Sequence, residues 1–116
     1  MQAKRVAGWI LGAGLLAVSP AWAGQPVTIV LKDHHFTPDK IEVPADTRFR
    51  IELTNMEPTV SEFESYDMHF EKIVVGNGGK IHVLAGPLHA GEVYKFFDDY
   101  DPDKAQGTVT AVEPKK

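Results

Sequence analysis

The chain has 116 residues, with 16 acidic and 12 basic side chains and a formal net charge of −4, a length typical of one domain. Its negative balance argues against nucleic acid and anionic membrane surfaces as partners. The sequence contains no cysteine, so no disulfide stabilises the fold and no thiolate is available to bind copper.

The first 23 residues have the pattern of a secretory signal peptide. Lys4 and Arg5 form a basic start, Val6–Val18 is an uncharged apolar run, and Ser19–Ala23 ends in an Ala-x-Ala-like pattern. The apolar run is shorter than the ~20 residues that a membrane span needs. We therefore predict cleavage at the end of this segment, export to the periplasm without membrane insertion, and a mature domain of residues 24–116 with a net charge of −6.

The mature chain is a succession of short strand-like runs. Val27–Leu31 is rich in β-branched residues, and Arg48–Thr54 alternates strictly between polar and apolar residues, as half-buried strands do. His34–Pro38 is typical of a loop or bend. The pattern of Tyr66–Phe70 is ambiguous and is compatible with one helical turn. The remaining strand-like runs are Ile41–Val43, Val60–Ser65, Lys72–Val75, Lys80–Leu84, Glu92–Asp98 and Thr108–Val112. Seven or eight short strands separated by turn residues predict an all-β Greek-key sandwich.

Motifs spread over nearly the whole mature chain resemble the cupredoxin superfamily. They are Phe36-x-Pro38, the strand that runs into Asn55, Glu62-Phe63-Glu64, Gly86-Pro87-Leu88-x-x-Gly91, Tyr94-x-Phe96-Phe97 and Gly107-x-Val109. Their order and spacing are most similar to EfeO-type cupredoxin-like domains, which include the FtrB-like proteins of bacterial periplasmic iron uptake. The resemblance implies a cupredoxin-like Greek-key β-sandwich.

The ligands of a blue-copper centre are replaced in this chain. Blue-copper cupredoxins hold copper with two histidines, a cysteine and a weak axial methionine. Matched position by position, these ligands fall on Glu62 and near Phe97, Tyr100 and Ala105. A type 1 copper centre is therefore excluded, and the resemblance carries over the fold alone.

A different metal site, built from oxygen and nitrogen ligands, is predicted at the same end of the sandwich. The EfeO-type domains place a carboxylate where Glu62 stands and use a residue just before the proline of the first loop. Imidazole and carboxylate ligands suit Cu(II), iron or zinc. The predicted components are Glu62, His34, His35 and one of Asp98, Asp99 and Asp101, with Asp99 preferred.

The alternation of strands limits which of these side chains can meet. Glu62 and Glu64 are expected on the face opposite to Phe63, because neighbouring residues of a strand point to opposite faces. Adjacent histidines on an extended segment also point in opposite directions. One of the two is therefore expected to reach Glu62, and His35 is favoured. An ordinary solvated strand face and a polar loop dipeptide are the alternatives.

Met68 and His69 form a second candidate site, because Cu(I) accepts thioether and imidazole ligands. The alternative is that Met68 fills the core while His69 lies on the surface. The acidic loop Asp98–Asp103 lacks the glycine and the bidentate glutamate of a calcium-binding EF-hand. We therefore expect copper or iron, rather than calcium, as the bound ion.

The resemblance to EfeO-type domains implies a periplasmic accessory protein of bacterial iron uptake that binds copper or iron. The resemblance implies transfer of iron to a membrane permease complex or another periplasmic protein, with assistance of ferrous iron oxidation as a further role. The alternative is a metal-free cupredoxin-fold module that docks on a transporter or partner protein. No hydrolase signature is present, and the residues leave open whether the protein is an enzyme.

Overall fold

The computed structural model describes residues 18–20 and 24–113, and within these ranges the chain is all-β, with ten strands and no helix. No segment of the described residues is a helix long and apolar enough to cross a membrane. The strands are β1 (Ser19–Pro20), β2 (Val27–Lys32), β3 (His35–Thr37), β4 (Lys40–Pro44), β5 (Phe49–Asn55), β6 (Ser61–Ser65), β7 (Phe70–Val74), β8 (Gly79–Ala85), β9 (Val93–Asp98) and β10 (Gln106–Val112).

The strands form two sheets. One sheet has the order β1-β4-β10-β9-β6-β7, and the other has the order β3-β2-β5-β8. Strands β4 and β10 pair in parallel, as do β2 and β5, whereas β6 pairs antiparallel with both β7 and β9. The parallel pairs join strands that are far apart in sequence, so long connections cross between the sheets. The predicted Greek-key β-sandwich is thereby confirmed.

One local prediction needs correction, and the structure decides one alternative that the sequence left open. His35–Thr37, expected in a loop, forms strand β3 and pairs antiparallel with β2. The two strands meet at a tight turn in which Asp33 and His34 both have positive φ, 52° and 64°, as a type I′ hairpin requires. The segment after β6 is a series of turns rather than a helix, with the His69 N–H donating to the Tyr66 carbonyl at 3.3 Å. The predicted signal peptide lies mostly outside the described residues and stays a prediction.

Aromatic rings fill the core between the sheets. The rings of Phe36, Phe63, Phe70 and Phe96 contact one another in a chain, with centroid separations of 5.0–5.8 Å. Phe63 and Phe96 are each only 1% exposed. Tilted and edge-to-face aromatic pairs add roughly 0.5–1.5 kcal/mol each beyond the burial of apolar area. These contacts fix β6 against β9 and so define the positions of the side chains on the opposite face.

Asn55 holds the loop that leads into β6. Its side chain is fully buried, and its Nδ2 donates to the carbonyls of Thr59 at 3.0 Å and Val74 at 3.2 Å. Its Oδ1 accepts a hydrogen bond from the Glu57 N–H at 2.9 Å. A buried amide that satisfies three backbone groups specifies one loop conformation. Asn55 therefore fixes where β6 begins.

Candidate metal centre

Strand β6 presents two carboxylates to the outer face of its sheet. Phe63 points into the core, so its neighbours Glu62 and Glu64 point outward, as the alternation predicts. Strand β6 lies between β7 and β9. Side chains from both neighbouring strands therefore flank the two glutamates.

The strand register brings two further carboxylates to the same place. Glu71 on β7 lies directly opposite Glu64. On the other side, Asp99 follows β9, and its N–H donates to the Glu62 carbonyl at 2.8 Å. Carboxylate oxygens of Glu62, Glu64 and Asp99 lie within 4.8 Å of one another, the one such group of metal-binding side chains in the described residues. We call Glu62, Glu64, Glu71 and Asp99 the acidic cluster.

Glu64 is the buried member of the acidic cluster. It is 9% exposed although it lies on the outer face, where Glu71 and Phe97 flank it on the two neighbouring strands. Its carboxylate forms no ion pair or hydrogen bond with the part of the chain that the structure describes. Burying an ionised carboxylate without a partner is costly. The site therefore requires either a proton or a cation.

The electrostatics of the acidic cluster favour protonation when no cation is bound. Burial, followed by the neighbouring Glu71 and Asp99 carboxylates, raises the pKa of Glu62 from 4.5 to about 7. Burial and then the charges of Asp99 and Glu71 also raise the pKa of Glu64. Like charges that share a site disfavour each other's ionised form. A metal ion binding here would displace protons, so its affinity must depend on pH.

Tyr66 and His69 border a groove next to the acidic cluster. The groove is lined by Glu64, Glu71, Tyr66 and His69, together with Ser65 and Phe70. The Tyr66 ring packs against Phe97 with centroids 5.1 Å apart and planes at 61°. The negative charge of Glu64, followed by burial and the other carboxylates of the cluster, raises the pKa of the Tyr66 phenol.

The three aspartates considered as ligands have three different surroundings. Asp98 is buried, and its Oδ1 accepts the N–H groups of Glu62 at 3.1 Å and Tyr100 at 3.0 Å. Asp101 contacts His34, whereas Asp99 joins the acidic cluster. Of the three, only Asp99 places a carboxylate oxygen in the group formed with the carboxylates of Glu62 and Glu64 in the part of the chain that the structure describes. The preference for Asp99 matches this placement, and its role as a metal ligand stays a prediction.

The two histidines of the β2–β3 hairpin lie outside the acidic cluster. His34 Nδ1 is 2.5 Å from Asp101 Oδ2 and 3.6 Å from Glu57 Oε1. This contact links the β2–β3 turn to the loop between β9 and β10. His35 is exposed on β3. Neither histidine therefore belongs to the acidic cluster that contains Glu62. Their roles as metal ligands stay predictions.

The adjacent side chains of Met68 and His69 lie in different surroundings. Met68 is 7% exposed and belongs to the hydrophobic core. His69 has a φ of 62° and faces the groove beside Glu64. This arrangement is the one expected if Met68 serves packing. His69 remains a candidate ligand at the edge of the acidic cluster.

Glu64 and Glu71 are the cluster members that were absent from the predicted ligand set. The signal for Glu64 was available, because it lies two residues after Glu62 on the same strand face. Glu71 could not be placed without the β6–β7 register, since a shift of one residue would turn it to the other face.

The comparisons with known proteins agree with this fold. A family model for a cupredoxin-like domain matches residues 6–111. Protein RP394 of Rickettsia prowazekii (strain Madrid E), itself uncharacterized, is 42% identical over 83 residues, which cover 72% of this chain and 65% of the relative. The match thus spans about two thirds of that relative's length.

Solved structures of low sequence identity share the fold. The metal-binding domain of the Cu(I)-exporting P-type ATPase CopA of Streptococcus pneumoniae, determined with Cu(I), aligns with a TM-score of 0.72 and 16% identity, over 86% of this chain and all of that domain. The purple cupredoxin of Nitrosopumilus maritimus aligns with a TM-score of 0.55 and 18% identity, over 73% of this chain and 98% of that one. Since the family model covers most of the sequence and the structural matches agree with it, this chain belongs to the family of cupredoxin-like domains.

Proposed function

We propose that this protein is a periplasmic accessory protein of bacterial iron uptake that binds copper or iron through the acidic cluster. It would pass iron to a membrane permease complex or another periplasmic protein, with assistance of ferrous iron oxidation as a further role. The observation that carries the proposal is the buried Glu64 carboxylate, which has no partner in the described residues and faces two other carboxylates. The iron-uptake role rests on the resemblance to EfeO-type domains.

The chemistry of the acidic cluster fits a metal ion. Glu62, Glu64 and Asp99 would hold it, with Glu71 beside them. Carboxylates are hard anionic ligands, and His69 at the edge of the groove could add the imidazole that copper and iron accept. When bound, copper or iron would supply one-electron redox chemistry at this site. The protein's own contribution is to gather negative charge and hold the ligands on a rigid sheet.

The structural relatives support metal binding as a use of this fold. The CopA domain is described as metal-binding and was determined with Cu(I). A fold by itself does not imply a function, so the argument for this chain depends on its own acidic cluster.

Calorimetric titration of the purified protein with Cu(II) and Fe(III) tests the proposal. We expect binding of one ion tighter than about 1 mM, and an affinity loss of about tenfold or more in Glu62→Gln. Glu42→Gln is the matched control, because Glu42 lies on β4, three strands away in the same sheet. Binding weaker than roughly 1 mM, about −4 kcal/mol, for both ions would rule out the metal site.

A metal-free docking module is the second candidate, and exposed apolar side chains favour it. Val60, Ile73 and Val75 are 44%, 47% and 65% exposed, and Ile73 lies directly opposite Glu62. A partner protein that covers this edge would bury them and the acidic cluster together. A docking role predicts that Ile73→Asp abolishes iron uptake in cells while Glu62→Gln leaves it intact. The metal-binding role predicts instead that Glu62→Gln impairs iron uptake.

A further inference from the structure

Tyr66 supplies a phenol beside the acidic cluster. It directly follows the last residue of β6 and lies two positions after Glu64, which pairs with Phe97 on β9. Its ring stays on this side of the sheet because it packs edge-on against Phe97 at 5.1 Å. Tyr66 is 69% exposed, and its hydroxyl forms no hydrogen bond with the residues that the structure describes. The phenol is therefore free to bind a ligand.

The other tyrosines of the mature chain have different surroundings. The Tyr94 hydroxyl accepts the His89 N–H at 2.9 Å and lies 3.4 Å from Glu92 Oε1. Tyr100 is exposed in the loop between β9 and β10, away from the groove. Among the tyrosines that the structure describes, only Tyr66 lines the groove that also contains Glu64, Glu71 and His69.

We propose that the metal bound by the acidic cluster is ferric iron and that the Tyr66 phenolate is one of its ligands. This inference rests on the proposed function and specifies which ion the acidic cluster binds. Two observations carry it: the buried, unpartnered Glu64 carboxylate, which a cation would neutralise, and the free phenol held next to it by Phe97. Phenolate is a hard anionic oxygen ligand like the carboxylates, and together they suit a small, highly charged ion.

Charge also favours a trivalent ion. When ionised, the four proposed ligands are the carboxylates of Glu62, Glu64 and Asp99 and the Tyr66 phenolate, so Fe(III) leaves one uncompensated negative charge and a divalent ion leaves two next to the buried Glu64. On binding, an iron–oxygen bond forms at Tyr66, and the phenol proton passes to the solvent. No electron is transferred in this step, so the iron remains ferric.

The test uses the visible absorption of the protein loaded with Fe(III) supplied as its nitrilotriacetate complex. A phenolate bound to Fe(III) produces a visible charge-transfer band and resonance-enhanced tyrosinate vibrations, which carboxylate ligands alone do not. We expect both signals in the wild type and in Tyr100→Phe. We expect Tyr66→Phe to lose both signals and to bind Fe(III) about tenfold or more weakly.

The outcomes separate this inference from the function on which it rests. Calorimetric binding of Fe(III) without the band, or a band that survives in Tyr66→Phe, would overturn the role of Tyr66 and leave the metal site standing. Absence of binding for both Fe(III) and Cu(II) would overturn both proposals. Tyr66 is a surface residue, so Tyr66→Phe is expected to fold, and an unchanged circular dichroism spectrum with an unchanged urea midpoint checks that it does.

Discussion

The two faces of strand β6 have opposite energetic roles. On the inner face, Phe63 contacts three other phenylalanine rings and is almost fully buried. On the outer face, Glu62 and Glu64 lie in a group of carboxylates that repel one another. Phe63 thus stabilises the fold, whereas the neighbouring Glu62 and Glu64 destabilise it. Sites that reduce the stability of the fold are often binding sites. The destabilising carboxylates of the outer face therefore agree with the proposed metal-binding role.

The largest expected effect comes from the inner face. Phe63→Ala removes a buried ring and leaves a cavity, which should lower the free energy of unfolding by about 3–5 kcal/mol. Because small domains have only about 5–15 kcal/mol in total, Phe63→Leu, with an expected loss of about 1–2 kcal/mol, is the milder companion variant. Urea unfolding followed by circular dichroism measures both. A loss below about 1 kcal/mol for Phe63→Ala would show that the aromatic cluster is not the centre of the core.

The outer face should respond in the opposite direction. Glu64→Gln keeps the side-chain shape and removes the unpartnered charge, so the metal-free protein should become more stable at pH 8, with a higher urea midpoint. The same change should weaken Fe(III) or Cu(II) binding by about tenfold or more, as measured by calorimetry. Glu42→Gln should change neither quantity. A Glu64→Gln variant that is destabilised without metal would indicate that the carboxylate makes favourable contacts in the folded state.

A pH series tests the repulsion within the acidic cluster. The pKa of Glu62 is raised from 4.5 to about 7 in the folded protein, so between these values the folded state binds more protons than the unfolded state. The contribution of Glu62 to stability is therefore present below about pH 4.5 and lost as the pH rises through 7. We expect the wild type to lose more stability than Glu62→Gln between pH 5 and about 8, measured by urea midpoints. Parallel curves for the two proteins would contradict the raised pKa.

The same shift predicts how metal affinity depends on pH. Protons compete with the metal for Glu62 and Glu64, so the affinity of the wild type should rise as the pH increases from 5 to about 8. Calorimetry at several pH values measures this dependence. An affinity that stays constant over this range would argue against the acidic cluster as the site.

Different parts of the molecule were predictable to different degrees. The sandwich followed from the alternation in β5 and from turn residues between short runs, because an alternating strand must bury one face. Outward placement of Glu62 and Glu64 followed from the same rule. Strand β3 was missed, because its turn requires positive φ angles at both Asp33 and His34, a conformation that is uncommon outside glycine even though Asp and His are enriched in it.

The composition of the acidic cluster depended on information that is not local in sequence. Glu71 joins Glu64 through the β6–β7 register, and Asp99 joins Glu62 through a backbone hydrogen bond between β6 and the end of β9. The resemblance to EfeO-type domains instead indicated His34 and His35, which precede the proline of the first loop, as partners of Glu62. The tight turn directs His34 to Asp101 and Glu57, away from the outer face of β6.

The smallest expected effect distinguishes the acidic cluster from the histidines of the β2–β3 hairpin. His34→Asn tolerates the positive φ at this position and removes the imidazole contact with Asp101. Because this contact is partly exposed, the free energy of unfolding should fall by less than about 1 kcal/mol, as measured by urea unfolding. Metal affinity should stay unchanged in His34→Asn and in His35→Ala, because neither imidazole lies in the acidic cluster. A loss of about tenfold in either variant would instead make that histidine a ligand, and the metal would then have to bridge the outer face of β6 and the hairpin.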